Sequence, residues 1–194
     1  MLAASAPLPP LDVAPPDDPI LLAITAGSYR DAIVLCVRTH GPSLGRLCMA
    51  MLGSQAEADE CVQEVLIAAH EGIREFRHEG TVRAWLFGIA RRMCARRLEM
   101  RGRRERRLRL VFDASEAARL PDEAVEQKRR AERVRWALEE LKPSERDVVV
   151  MRYQAGLEYA EIAVACGIDE AAARKRVSRG LARMKELLSA EVER

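Results

Sequence analysis

Aromatic side chains, histidines and long apolar runs are scarce in this chain of 194 residues. Aromatic residues make up 4% of the sequence, which suits small helical units whose cores are filled with Leu, Val, Ala and Met. No apolar run approaches the ~20 residues needed to span a bilayer, so we expect no membrane insertion. Residues 1–19 have neither a basic start nor a continuous apolar core, so we also expect no signal peptide.

The common motifs of enzymes are also missing. The sequence has no Gly-rich phosphate loop and no HExxH. Its three histidines, His40, His70 and His78, have no partner at a spacing that suggests nucleophilic catalysis. We therefore expect that the protein is not an enzyme, needs no cofactor and takes no small-molecule substrate.

Five cysteines stand at positions 36, 48, 61, 94 and 166. They show no CxxC and no Cys/His pairing at metal-binding spacing, so the sequence predicts no metal site. Reduced thiols in a cytoplasmic protein are the simplest interpretation. Cys94 differs from the others because it stands among arginines, whose charge is expected to lower the pKa of a thiol. A sensing role is therefore left open for Cys94.

The net charge of +2 conceals a strong segregation of charge along the chain. Residues 91–109 contain ten arginines against two glutamates, and residues 174–185 contain six cations and no acid. Residues 57–79 have the opposite bias, with seven acids against two arginines. Clustered arginines repel one another unless a polyanion neutralises them. This pattern indicates nucleic acid at two places and a protein partner elsewhere.

No segment alternates apolar and polar residues with period two for long enough to form a sheet, so the predicted fold class is all-α. We expect two small helical domains joined by a flexible acidic linker. The predicted boundaries are a disordered Pro-rich tail at 1–19, a first domain at 20–109, the linker at 110–126 and a second domain at 127–194.

Helical periodicity and capping residues divide the first domain. Helices are predicted over about 20–27, 28–39, 43–52 and 54–73, with the Gly-Pro pair at 41–42 separating the second from the third. Ser54 is the predicted N-cap of the fourth helix. Thr81 is the predicted N-cap of a fifth helix, which continues into the arginine block.

The most informative stretch of the sequence is residues 138–188. It predicts a helix with Ser144 as its N-cap and Asp147 three residues later, followed by a helix-turn-helix. Gly156 is expected to close the first of these helices in a left-handed conformation.

The helix-turn-helix itself is predicted from a second helix at 159–166, a tight turn at Gly167 and a third helix capped by Asp169. Its small core is expected to consist of Ile162, Ala163, Cys166, Ile168, Ala173 and Val177. The polar side chains left facing outward are Arg174, Lys175, Arg176, Ser178 and Arg179. A helix that enters the major groove of DNA needs such a row of donors and cations.

Residues 76–107 form the second informative segment. Trp85, Leu86 and Ile89 alternate with arginines, so that one helix face is apolar and the other basic. An aromatic side chain among cations, beside a loop, suits a surface that grips phosphates and stacks on an unpaired base. The alternative is that Trp85 belongs to the core and the arginines are solvated.

Three segments resemble the signatures of bacterial sigma factors of the extracytoplasmic-function (ECF) group. They are AEADECVQEVLIAAH, FRHEGTVRAWLFGIARR and the helix-turn-helix that contains YAEIAVACGI, in the family's order within about residues 20–188. The resemblance implies a protein that binds core RNA polymerase and promoter DNA. Its second domain would recognise the −35 element, and its first would open the −10 element. It also implies an anti-sigma factor as a further partner.

The resemblance assigns residues to each task. Contacts with core polymerase fall to Asp59, Glu60, Gln63, Glu64 and Leu66. Contacts with −10 DNA fall to Phe76, Arg77, His78, Trp85, Leu86, Arg91, Arg92 and Arg96, with the loop at 76–81 capturing a flipped base. Contacts with −35 DNA fall to Arg174, Lys175, Arg176, Ser178, Arg179 and Arg183.

The chain departs from the family's usual pattern in each DNA-binding segment. Gly88 replaces a usual Arg, which removes one phosphate contact. Arg92 replaces a frequent Asn, and Lys175 replaces a Ser in the helix-turn-helix. The roles are therefore carried over, and the base preferences are not.

Two other functions fit part of the pattern. A helix-turn-helix regulator that does not enter the polymerase would need a dimer interface or a ligand domain, and the first domain shows neither. A helical adaptor protein would leave two arginine-rich helices without a use.

Overall fold

A computed structural model describes residues 18–77, 80–108 and 122–192, with side chains described except at 104–108, 122–129 and 191–192. All regular elements within these ranges are helical, which confirms the all-α fold class. In chain order they are α1 (Pro19–Thr25), α2 (Tyr29–Leu52), α3 (Gln55–Gly72), a 3₁₀ turn (Ile73–Glu75), α4 (Val82–Leu108), α5 (Asp122–Glu139), α6 (Pro143–Tyr153), α7 (Tyr159–Cys166) and α8 (Glu170–Val192). No helix in these ranges is both long and apolar enough to cross a membrane.

The predicted Pro-rich tail and the predicted linker lie mostly outside the described residues. The Pro-rich tail does so up to residue 17, and Pro19, predicted as part of it, is instead the first residue of α1. Asp18 caps that helix by accepting a hydrogen bond from the Ile20 amide at 2.9 Å. The predicted linker at 110–126 is described only from Asp122, where it is already helical.

A single helix, α2, replaces the two that the Gly-Pro pair at 41–42 was predicted to separate. Proline removes one backbone hydrogen bond from a helix and crowds the preceding turn. The apolar stripe nevertheless continues across it, with Ala32 and Cys36 buried before the pair and Leu44 and Cys48 buried after it. Burial of this stripe against α3 keeps the backbone helical, so tertiary packing overrides the local signal.

Three of the four predicted N-caps are confirmed. Each side chain accepts a hydrogen bond from an amide three residues later: Ser54 from Glu57 at 3.4 Å, Thr81 from Ala84 at 3.0 Å, and Asp169 from Ala172 at 2.6 Å. The fourth prediction, that Ser144 is an N-cap, was wrong. Proline is favoured at the first position of a helix, so Pro143 begins α6 and places Lys142 at the N-cap.

The helix-turn-helix of α7 and α8 has the predicted core. Ile162, Ala163, Ala173 and Val177 are buried, and the two remaining predicted core residues are half-buried. Gly167 ends α7 with a φ of +65°, a left-handed conformation that glycine adopts without strain. After this turn α8 packs on α6 and α7 and leaves one long side exposed.

The helices form two units whose cores are joined. The N-terminal unit consists of α1–α4 and the C-terminal unit of α5–α8. Between them, α7 packs on α4, and α6 packs on α2 and α4. One cluster of buried side chains runs through both units, including Leu86 and Phe87 on α4 and Ile162 and Ala165 on α7. We call this contact between the units the closed arrangement.

Replacing Gly180 with alanine is expected to destabilise the C-terminal unit. A Cβ atom at Gly180 would lie 2.7 Å from Cγ2 of Val149, a stiff β-branched side chain that is buried on α6. Over-packing of this kind costs about 1–3 kcal/mol, more than the ~1 kcal/mol that alanine gains over glycine in a helix. Thermal and urea denaturation of the full chain measure the difference.

Gly45→Ala is the matched control, because nothing lies within 4 Å of a Cβ atom at Gly45 in α2. Its melting temperature should equal or exceed that of the wild type. A Gly180→Ala variant as stable as Gly45→Ala would contradict the close packing of α8 on α6.

Candidate functional site

The exposed side of α8 is basic. Its buried side, at Ala173, Val177 and Gly180, faces α6 and α7. On the opposite side the predicted DNA-facing residues are exposed, except for the half-buried Arg176; the exposed ones are Arg174, Lys175, Ser178, Arg179 and Arg183. The structure therefore places all six predicted −35 residues on one helix and five of them in solvent.

The two ends of this basic row differ in their contacts. The guanidinium of Arg174 lies 4.5 Å from the centroid of the Tyr159 ring on α7 and also pairs with Glu170. Arg183 pairs with Glu186 at 3.1 Å. Among the described residues, no carboxylate pairs with Lys175 or Arg179. These two cations are therefore the ones most available to an anionic ligand.

A second candidate surface lies at the start of α4. The rings of Trp85 and Phe76 lie 5.5 Å apart between centroids at an angle of 58°. Trp85 is half-buried: part of its ring packs on the core and part remains accessible, so base stacking on it stays a prediction. Arg77, Arg92 and Arg96 are exposed near it. His78, another predicted member of this surface, lies outside the described residues.

Leu86 does not belong to this surface. Its side chain is fully buried in the core, with 0% exposure, whereas Arg92 is exposed. The expectation that Leu86 contacts DNA was therefore wrong. Helical spacing puts Leu86 on the same face as Ala90 and explains the burial of both.

A cleft of about 270 Å³ opens beside Trp85. Phe76, Trp85 and Arg92 line one side of it, and Val164 and Ala165 of α7 line the other. The C-terminal unit thus supplies one wall of the cleft beside Trp85.

Arg83 is the main polar link between the units. Its guanidinium donates to Glu161 on α7 at 2.9 Å, and to the carbonyl oxygens of Ala155 at 2.8 Å and Gly156 at 3.0 Å. The Thr81 hydroxyl donates to the same Glu161 carboxylate at 3.2 Å. One side chain of α4 therefore satisfies three acceptors of the C-terminal unit.

Arg91 forms a second link, with Asp147 on α6. The two side chains pair at 3.2 Å, and Asp147 is only 5% exposed. Burial raises the pKa of Asp147, and the positive charge of Arg91 opposes that rise. Arg91 was predicted to face DNA and instead faces the C-terminal unit. Asp147 was predicted as part of a helix start and instead holds the units together.

Gly88 lets the two units approach closely. A Cβ atom at Gly88 would lie 3.3 Å from the carbonyl oxygen of Ala165 and 3.4 Å from its Cα atom. Any larger side chain there would press on the backbone of α7. The departure from the usual Arg at this position therefore coincides with a close backbone contact between α4 and α7.

A third candidate surface is the acidic face of α3. Four residues predicted to contact core polymerase are exposed along it: Asp59, Glu60, Gln63 and Glu64. Leu66 was predicted to share that face, but it is half-buried against the core. Helical spacing explains this, because Leu66 lies beside the buried stripe at 58, 61, 65 and 69.

Arg97 of α4 forms ion pairs with two glutamates of this acidic face. It pairs with Glu64 at 2.7 Å and with Glu60 at 3.5 Å. Arg101 likewise pairs with Glu57. The protein's own carboxylates thus neutralise Arg97 and Arg101. Only the remaining arginines of residues 91–109 still call for a polyanion as partner.

Several functional residues escaped the sequence analysis. Ile67 is 59% exposed beside Gln63 and Glu64. Its position outside the apolar stripe of α3 was the sequence feature that could have predicted this exposure. Arg83 and Glu161 had no signal, because only the folded chain brings them together.

The cysteines also differ from expectation. Cys48, Cys61 and Cys94 come together from three helices, although the sequence predicted no metal site. Hydrogen bonds with the other two thiols, together with burial, raise the pKa of Cys94. The expected lowering by arginines was wrong, because the neighbouring thiols and burial dominate the surroundings of Cys94.

Two segments of the chain, which together include most of the residues of these surfaces, match known protein families. Residues 36–104 match Sigma-70 region 2, and residues 131–184 match Sigma-70 region 4. The chain is 31% identical over 164 residues to the ECF RNA polymerase sigma factor EcfG of Rhodopseudomonas palustris, covering 83% of this chain and 85% of that protein.

Two solved structures share the fold at 24% sequence identity. One is CnrH in complex with the cytosolic domain of CnrY, with a TM-score of 0.66 over 90% of this chain and 99% of that one. The other is the sigma factor RpoE in complex with the anti-sigma factor NepR from Bartonella quintana, with a TM-score of 0.60 over 84% of this chain and 97% of that one.

A Gly88→Arg variant is expected to open the closed arrangement. The new side chain would press on Ala165, and its charge would stand beside Arg92, whose Nη1 atom lies 3.5 Å from the Cβ position. Small-angle X-ray scattering should show a larger radius of gyration for the variant than for the wild type.

Gly102→Arg is the control for charge, because it adds the same side chain to the same helix where nothing lies within 4 Å. Its radius of gyration should remain that of the wild type. Equal values for both variants would mean that the α4–α7 contact does not hold the units together.

Proposed function

The chain belongs to the ECF group of bacterial RNA polymerase sigma factors, and from this membership we propose how its surfaces divide the work of initiation. It is an alternative sigma factor that binds core RNA polymerase and directs promoter-specific initiation, recognising −35 DNA and opening −10 DNA. Its own part is binding and positioning, and the polymerase carries out the covalent chemistry. We place it in the cytoplasm, where the polymerase acts.

The −35 element is assigned to the exposed side of α8. Lys175 and Arg179 are one helical turn apart and have no carboxylate partner among the described residues, so they can reach base edges or phosphates without breaking an ion pair. Arg174 is held by Tyr159 and sits at the start of α8, where residues of a recognition helix contact bases. Arg176 and Arg183 are assigned to phosphates.

The −10 element is assigned to Trp85 with Phe76, Arg77, Arg92 and Arg96. Flipping a base out of the duplex costs a few kcal/mol. Stacking on an aromatic side chain returns about 1–3 kcal/mol per base. Exposed arginines beside Trp85 add contacts with the phosphates of the separated strand. Arg91 and Leu86 take no part while the closed arrangement holds.

Initiation requires the closed arrangement to open. In it, α7 forms one wall of the cleft beside Trp85, so a strand of DNA cannot pass across that surface. The same contact fixes α8 relative to α4 through Arg83 and Arg91. We assign the closed arrangement to the free protein and an opened one to the complex with polymerase and promoter.

An anti-sigma factor is assigned as the inhibitory partner. The RpoE structure that shares this fold contains an anti-sigma factor, NepR. A partner that binds both units at once would hold them in the closed arrangement and keep the cleft covered. Opening would then follow release of that partner.

Core polymerase is assigned to the acidic face of α3. Asp59, Glu60, Gln63 and Glu64 present polar groups, and Ile67 presents an exposed apolar side chain among them. An apolar side chain within a polar rim is typical of a protein interface. This face also argues against a helix-turn-helix regulator that never enters the polymerase, since such a protein has no use for it.

Alanine at Lys175 and Arg179 is expected to abolish initiation from the cognate promoter. Each lost DNA contact costs about 1–3 kcal/mol. Run-off transcription of source genomic DNA with core polymerase measures the loss, and size-exclusion chromatography should show unchanged binding to core.

Arg38→Ala is the control, because Arg38 is an exposed cation on α2, a helix that carries none of the three candidate surfaces. It should transcribe normally. Full activity of the Lys175 and Arg179 variants would rule out α8 as the −35 reader.

An Ile67→Ser variant is expected to bind core polymerase more weakly while still binding promoter DNA. Burying an isoleucine side chain contributes about 1.5–3 kcal/mol. Titration of labelled core polymerase measures the affinity. Leu22→Ser is the matched control, because Leu22 on α1 is 55% exposed, close to the 59% of Ile67. Equal affinity of the two variants would place the polymerase contact elsewhere.

A further inference from the structure

Three thiols meet inside the N-terminal unit. Cys48 comes from α2, Cys61 from α3 and Cys94 from α4, and all three side chains are 0% exposed. The Cys61 and Cys94 sulfurs lie 3.7 Å apart, and those of Cys94 and Cys48 lie 3.8 Å apart. All three sulfurs lie within 4.8 Å of one another. The cluster therefore forms a compact triangle at the point where the three helices cross.

The size of this triangle is that of a metal-thiolate site. Zinc binds thiolate sulfur at about 2.3 Å, which separates the sulfurs of a tetrahedral site by about 3.8 Å. The two shorter sides of the triangle already have that length. An ion could bind without large movement of the helix backbones.

We propose that Cys48, Cys61 and Cys94 bind one thiophilic d¹⁰ metal ion, with zinc as the first candidate. Soft thiolate ligands select such ions over magnesium or calcium. No histidine or carboxylate belongs to the cluster among the described residues, so three sulfurs supply the protein ligands. On binding, the divalent ion replaces three thiol protons, which pass to solvent, and forms three metal–sulfur bonds with a net charge of −1.

The surroundings can accommodate that charge. Arg97 follows Cys94 by three residues on α4, and its guanidinium acts electrostatically on both Cys48 and Cys61. It also pairs with Glu60 and Glu64 on the α3 surface. A bound ion would therefore tie together α2, α3 and α4 directly beneath the face assigned to core polymerase.

The inference does not depend on that polymerase assignment, since the thiols are brought together by the fold alone. The ion would be expected to hold α3 in register with α4 and so to raise the stability of the N-terminal unit. The competing explanation is that the three thiols pack only as small apolar side chains, as buried cysteines often do.

Titration of the reduced full chain with Cd²⁺, a spectroscopic substitute for zinc, distinguishes a metal site from simple packing of the three thiols. One equivalent should produce a thiolate-to-metal charge-transfer band in the ultraviolet and raise the melting temperature. Cys61→Ala and Cys94→Ala should each lose both effects. Cys36→Ala is the matched control, because Cys36 is buried on α2 outside the cluster, and it should retain both.

X-ray absorption of the zinc-loaded wild-type protein tests the same site without a variant, in case either alanine variant fails to fold. A shell of three sulfurs around zinc supports the proposal. A shell dominated by nitrogen and oxygen overturns it. Absence of the band, or its persistence in Cys61→Ala and Cys94→Ala, overturns it as well.

Discussion

The approach of α7 to α4 at Gly88 is the constraint on which the other surfaces depend. Because Gly88 has no side chain, the backbone of Ala165 comes close enough for Arg83 and Arg91 to reach their acceptors on the C-terminal unit. Those contacts decide what is covered and what is free. The cleft beside Trp85 becomes narrow, whereas the long side of α8 and the acidic face of α3 stay open to solvent.

Local signals predicted the local structure well. The helix at 159–166, the turn at Gly167 and the caps at Ser54 and Thr81 depend on neighbours within one or two turns of helix, which the sequence displays directly. Pro42 was misjudged for the opposite reason. The stripe that keeps α2 continuous gains its stabilisation from α3, and no local rule contains that contact.

Contacts between distant residues account for the errors at the candidate sites. Arg91 looked like one more cation of a DNA-binding block, and only the fold shows Asp147 beside it. The thiols of Cys48, Cys61 and Cys94 are separated by 13 and 33 residues and include none of the close Cys pairs by which a metal site is recognised in sequence. Charge and composition identified the kinds of partner, and tertiary structure decided which side chains remain available to them.

The pair of Arg91 and Asp147 makes the protein respond unequally to ionic strength. A partly buried ion pair is screened little by salt, so the contact between the units persists as the salt concentration rises. The DNA binding proposed for Lys175 and Arg179 would release counterions and weaken steeply over the same range. Rising salt is therefore expected to weaken the proposed DNA contacts before it weakens the contact that holds the two units in the closed arrangement.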